Sequence, residues 1–231
     1  MNGLLLMLGV MALMAFASRG VQASFQKYSQ VPIRSRMTGA QAARQILDAN
    51  GLQNVAIERV AGQLTDHYDP QKRVLRLSSV VYDQPSVASV GVAAHEAGHA
   101  LQHKNGYAPL MIRQGMIPIV NFGSAFGMNM IMVGMLALFF LSQQLGFMIG
   151  IIGLALYSLA VLCSIITLPV EFNASSRALA CLNQYGIVSS EEHSGTKKVL
   201  NAAALTYVAA AVGSVLTLLY YASFFLGGNR E

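Results

Sequence analysis

His95-Glu96-Ala97-Gly98-His99 is the stretch whose residue types and spacing could do chemistry. It reads H-E-x-x-H and lies in a small-residue-rich segment, Ser86 to His103, that is expected to be helical. On an α-helix, positions i and i+4 share a face, so both imidazoles can meet one tetrahedral zinc ion. Glu96, beside the first imidazole, can reach a water on that metal and act as general base. The chemistry implied is amide hydrolysis: zinc acidifies the water, Glu96 takes its proton, and the proton passes to the leaving amine. The chain has five histidines in 231 residues, so two of them at this spacing around a glutamate favour a zinc hydrolase over a chance match.

Two histidines and a water leave zinc one protein ligand short. His103 is four residues past His99, but along a straight helix it lies about 6 Å further on. Ala100-Leu101-Gln102 offers no chain breaker to bring it back. His103 is therefore expected to be solvated or to support a ligand, and His67 and His193 read as surface residues. Glu171 is the better third ligand. It follows Pro169 at the end of an apolar run, where an unpaired carboxylate is costly. The competing explanation is a glutamate favoured by the positive end of a helix dipole. Asp66 and Asp69 read as turn formers, and Glu191 and Glu192 as a solvated helix start.

These residues must be positioned by a membrane protein. The chain is 54% hydrophobic and 11% charged, with mean hydropathy +0.49. Four apolar runs stand out: Gly3–Ala17, Ile117–Leu141 (interrupted by Asn121 and Asn129), Leu145–Val170 and Ala203–Leu226. The first is short. Val21-Gln22-Ala23 could pass for a signal-peptidase site, but no Lys or Arg precedes the run, so a retained anchor is expected. The net charge of +5 might suggest nucleic acid; its distribution says otherwise. With four crossings, the regions Arg19–Gly115 and Glu171–Asn201 fall on one side and hold 11 and 3 of the 15 Lys and Arg. The positive-inside rule makes that side cytoplasmic, so the basic balance reports topology and no nucleic-acid partner is expected. Cys163 and Cys181 form no C-x-x-C pair and read as packing residues.

Ser24–Arg36 reads as a polar, basic connector. Thr38 is a plausible N-cap for a helix over Gly39–Asn50, with Ala42, Ala43, Ile46 and Leu47 on one face and Gly51 as its stop. Val55–Val60 and Val74–Leu77 alternate and read as strands, with Asp66-His67-Tyr68-Asp69-Pro70 a turn between them. Asp83-Gln84-Pro85-Ser86 breaks the chain, and Ser86 can cap the H-E-x-x-H helix. This soluble part is about 70 residues, too few for a large core, and is expected to pack on the membrane helices and on Glu171–Tyr185. The expected organisation is an anchor over 1–23, an α+β segment over 24–115, a transmembrane hairpin over 116–170, a ligand helix over 171–202 and a last span over 203–226.

The stretch from Glu171 to Leu182 resembles the glutamate-ligand helix of integral-membrane zinc proteases of the HtpX and CAAX-prenyl endopeptidase type, which carry E-x-x-x-D. Nearly the whole chain is similar to the YugP-like membrane zinc metallopeptidases. The matching segments are Phe25–Ser29, Thr38–Ala40, Leu64–Pro70, His95–Gln102, Leu168–Ser175 and Lys198–Val208. The resemblance implies a bacterial, multi-pass, mainly α protein of the inner membrane. It would have about four transmembrane helices and a small α+β gluzincin-like domain on the cytoplasmic face. It implies His95, His99 and Glu171 as zinc ligands and Glu96 as catalytic base. Ser175 stands where the HtpX pattern has the aspartate that bonds a ligand histidine. Arg177, Tyr207 and His67 are candidates for stabilising the oxyanion, Arg177 first.

The activity expected is that of a zinc endopeptidase acting on peptides or on unfolded segments of membrane proteins, as in quality control. The strand Val74–Leu77 would offer an edge for substrate pairing. A site-2-type intramembrane protease is excluded, because Val87–Leu101 is too short to span and no later span carries an Asp. The reading from another class is a non-catalytic membrane scaffold with a structural zinc. Glu96 argues against it, since a structural site needs no base.

Overall fold

A computed structural model describes residues 3–227. Arg230, the one Lys or Arg that falls in neither of the two basic regions counted above, lies outside the described residues. The chain is mainly helical and divides into two compact units. One comprises Ala17–Leu110 and Pro169–Thr206; the other comprises Met1–Phe16, Met111–Leu168 and Tyr207–Glu231.

The first unit carries the site. Helix α1 (Gly3–Ser29) runs on through Ser24–Ser29, the first part of the expected connector. That segment holds no Gly or Pro, Ser29 Oγ donates to Phe25 O, and Phe25 and Tyr28 pack on the core, so the helix persists until just before Pro32. Helix α2 (Gly39–Ala49) starts as expected: Thr38 and Gln41 form a reciprocal capping box. Its expected face is buried throughout, and Ile46 and Leu47 alone contribute about 1.5–3 kcal/mol each on leaving water.

Strands β1 (Ala56–Val60), β2 (His67–Asp69) and β3 (Val74–Ser78) form one sheet in the order β1-β3-β2. β1 runs parallel to β3, with Ala56 opposite Val74, and β2 runs antiparallel to it, with Tyr68 opposite Leu75. Two expectations are corrected here. The supposed turn is partly strand β2, and the reversal lies at Pro70–Arg73. There Asp69 Oδ1 accepts from the Gln71 and Lys72 amides, and Arg73 takes φ +54°. β3 is also the central strand, so it has no free edge for a substrate; both of its flanks are already hydrogen-bonded.

A short helix α3 (Ser79–Asp83) follows β3, and α4 (Val87–Lys104) carries H-E-x-x-H. Residues Ala178, Cys181 and Leu182 share the core formed by α2, β3 and α4, so the segment after Glu171 belongs to this unit.

The second unit holds most of α5 (Ala108–Phe140), together with parts of α1, α6 (Gln143–Gln184) and α7 (Ser190–Gly227). Among the described residues, α1, α6 and α7 are long and apolar enough to cross a membrane, and α5 adds a shorter apolar stretch, Ala125–Phe140. Within this unit α5 and α6 touch through their backbones. A Cβ at Gly134 would stand 2.6 Å from Gly150 N, so only glycine admits this approach.

Candidate metal centre

Helix α4 is capped as expected by Ser86, whose Oγ accepts from Ser89 N at 3.1 Å. Ser89 Oγ in turn donates to Val80 O, which ties the start of α4 to α3. Small residues let α4 be enclosed on nearly all sides. At Gly98, between the two histidines, a Cβ would lie 2.5 Å from Ala174 O. The absence of a side chain there lets the helix after Pro169 approach α4 closely enough to present Glu171.

The structure brings three of the expected residues together. His95 Nε2 lies 3.2 Å and His99 Nε2 3.6 Å from Glu171 Oε2. The candidate donor atoms all fall within 4.8 Å of one another. The imidazoles stand edge to face, with centroids 4.7 Å apart. Glu171 is 3% exposed, and Glu96, next in sequence to His95, is 8% exposed.

The outer nitrogens of both rings are held. His95 Nδ1 sits 3.1 Å from Ser175 Oγ, so Ser175 fills the place that the aspartate has in the resembling helix. His99 Nδ1 sits 3.0 Å from Gln102 Oε1. Gln102 is fully buried, and its amide nitrogen donates to Val170 O at 2.8 Å and to Asn173 Oδ1 at 3.0 Å. A carbonyl can only accept, so Gln102 must turn its oxygen toward His99. A neutral His99 then carries its proton on Nδ1 and leaves the Nε2 lone pair facing Glu171. Two such nitrogens and one carboxylate, with no fourth protein donor among the described residues, match the donor set of a catalytic zinc site with an open position.

Burial pushes the His99 imidazolium pKa down, but the Glu171 carboxylate bonded to it, with Glu96, outweighs burial and holds it above the ordinary histidine value.

The remaining expected residues lie elsewhere. His103 Nδ1 pairs with Tyr68 Oη at 2.9 Å and takes no part in the cluster. His67 is exposed and sits against Thr65 O and Arg76. Arg177, the first choice for the oxyanion, donates from Nε to Asn173 Oδ1 at 2.7 Å and lies over the Tyr107 ring, in the network behind His99. Tyr207 falls in the other unit.

Asp66 is more than a turn former: its carboxylate accepts from Ser78 N at 2.7 Å and Ser78 Oγ at 3.0 Å. Burial raises its pKa, the Ser78 bonds oppose that, and nearby Glu96 adds to the rise. Glu192 is not solvated. It is buried and accepts from Ser189 N and from Arg34 N, whereas Glu191 is exposed as expected. Gln102 and Asn173 were not anticipated. The available signal was position: Gln102 is one turn beyond His99 on the same face.

A family described as "Putative neutral zinc metallopeptidase" matches residues 3–226. The "Putative membrane protease YugP" of Bacillus subtilis (strain 168) is 46% identical over 228 residues, covering 98% of this chain and 97% of that protein. No solved structure matches the chain. A histidine pair and a glutamate gathered in this way are what such a family's description leads one to expect, and a match over nearly the full length decides it: the chain belongs to the neutral zinc metallopeptidase family.

Proposed function

We propose that the protein is a membrane-embedded zinc endopeptidase of gluzincin type, working at the cytoplasmic face of a bacterial inner membrane. Its substrates would be peptides or unfolded segments of membrane proteins, as in quality control. The observation that carries this reading is the convergence of His95 Nε2, His99 Nε2 and a Glu171 oxygen beside Glu96. His95, His99 and Glu171 would hold the metal. Bound there, zinc would supply Lewis acidity to a water and to the scissile carbonyl.

Glu96 takes the proton released by the attacking water and returns it to the departing amine. Gln102 and Ser175 keep the imidazoles turned so that their Nε2 lone pairs face inward. β2 keeps one unpaired flank at the end of the sheet, where an extended substrate could add as a further strand. Three protein donors leave a position for chemistry, whereas a structural zinc in a scaffold would fill its fourth.

Purified protein in lipid should cleave an unfolded membrane-protein segment, and a chelator should stop it. Glu96→Gln should keep zinc while losing activity by roughly 10²–10⁴-fold. Full activity in that variant, or cleavage indifferent to metal, would refute the mechanism. The proposed topology has four crossings, both termini outside, and the segments 18–115 and 171–202 cytoplasmic. A reporter fused after Glu231 that works only in the cytoplasm would reverse it.

A further inference from the structure

A second concavity of the site-bearing unit has a distinct chemistry. It encloses about 520 Å³ between the end of α1, the loop after β1 and α3. Five glutamines, Gln22, Gln26, Gln30, Gln63 and Gln84, line it, and no charged side chain does. All five are exposed, and among the described residues none of their carboxamides bonds to another protein group. Phe25, Leu64 and Val80 supply an apolar surface between them. A carboxamide both donates and accepts, so a ring of them complements the N–H and C=O of peptide groups without selecting charge.

Two features show that the walls of this groove are fixed in place. Leu64, at its lip, is exposed and held at φ +55°, a conformation that costs a non-glycine residue of order 1 kcal/mol or more and that concentrates at functional sites. Two residues on, Asp66 accepts from Ser78 N and Ser78 Oγ, which fixes the loop after β1 to the end of β3. On the other wall, Val80 O accepts from Ser89 of α4. Ser89 precedes Glu96 by seven residues, about 10 Å of helix.

We infer that the glutamine-lined groove is a substrate subsite, taking an extended, uncharged polar segment of the peptide. This rests on the peptidase reading for its role but not for its occupancy, so the two can be tested apart. The probe is a short fluorescein-labelled peptide of Ser, Thr, Asn and Ala. Its binding to zinc-loaded, full-length Glu96→Gln protein in lipid is followed by fluorescence anisotropy.

Adding Gln26→Ala and Gln63→Ala should weaken binding about tenfold through two lost hydrogen-bonding groups. Adding Gln26→Glu instead should favour a lysine-bearing version of the probe roughly threefold over the neutral one. Zinc content checks that each variant is folded. Absence of probe binding, or binding indifferent to every one of these substitutions, overturns the subsite. Cleavage of the same probe by the wild-type protein is read separately. A groove that responds in a protein whose wild type cleaves neither this probe nor an unfolded membrane-protein segment would keep the peptide-binding groove and refute the peptidase, and cleavage without any response of the groove would do the opposite.

Discussion

The two units of this chain use small residues for different ends. In the site-bearing unit they admit enclosure. Gly98 meets Ala174, Gly91 meets Thr196, and around them a broad core of buried aliphatic residues leaves almost no face of α4 exposed. In the other unit Gly134 and Gly150 bring two backbones together, yet the buried cluster there is Ile131, Leu154, Tyr221 and Phe225. Large apolar side chains point outward instead: Phe139 is 72% and Phe140 79% exposed. The first unit is held by removing apolar surface from water. The second has an exterior suited to lipid, in which association rests on close van der Waals contact. The same composition thus serves two solvents, and the catalytic candidates sit where a polar network can be buried and fully paired.

The comparison can be broken first at the metal. Glu171→Ala should lower zinc affinity and activity together, whereas His103→Ala, which loses only the Tyr68 bond, should spare the metal. Zinc titration decides between them, and full affinity in the glutamate variant would remove Glu171 from the site. Gln102→Leu comes next. It keeps the volume but removes the acceptor for His99 and the donor to Val170, and loss of such a supporting bond costs about 10–100-fold in metal affinity. An unchanged zinc titration would show that the network is only packing.

The smallest effect contrasts the units directly. Gly98→Ala forces a methyl against Ala174 O and should cost about 1–3 kcal/mol with weakened zinc binding. Gly134→Ala should lower thermal stability by a similar amount through the contact with Gly150 while zinc affinity holds. Equal loss of zinc in both would erase the distinction drawn between the units.

Much of the site could be read before the structure, because its information is local. The i, i+4 spacing of His95 and His99 and the carboxylate after Pro169 each carry a physical signature within a few residues. α2 was legible for the same reason, through its cap and its apolar face. β2 was not: His67-Tyr68-Asp69 is three residues long and ends in an aspartate, a type depleted from strands, and only pairing with β3 makes it one. That pairing also hid the loss of the β3 edge. Gln102 escaped notice because an amide one turn past a histidine looks like any polar helix residue until Val170 O and Asn173 arrive from far along the chain.

That distance has a consequence for how the protein is made. Glu171 lies 76 residues after His95, and Glu192 closes onto Arg34 across 158 residues. At about 5–20 residues per second, a ribosome needs ~4–15 s to pass from the first histidine to the glutamate that joins it. Most of the intervening chain is the apolar segment Met111–Leu168. A nascent chain therefore holds its H-E-x-x-H helix for seconds without the third donor, and the donor set is complete only after that apolar segment has been synthesised. Under the proposed activity, the order of synthesis would itself keep an unfinished protease silent.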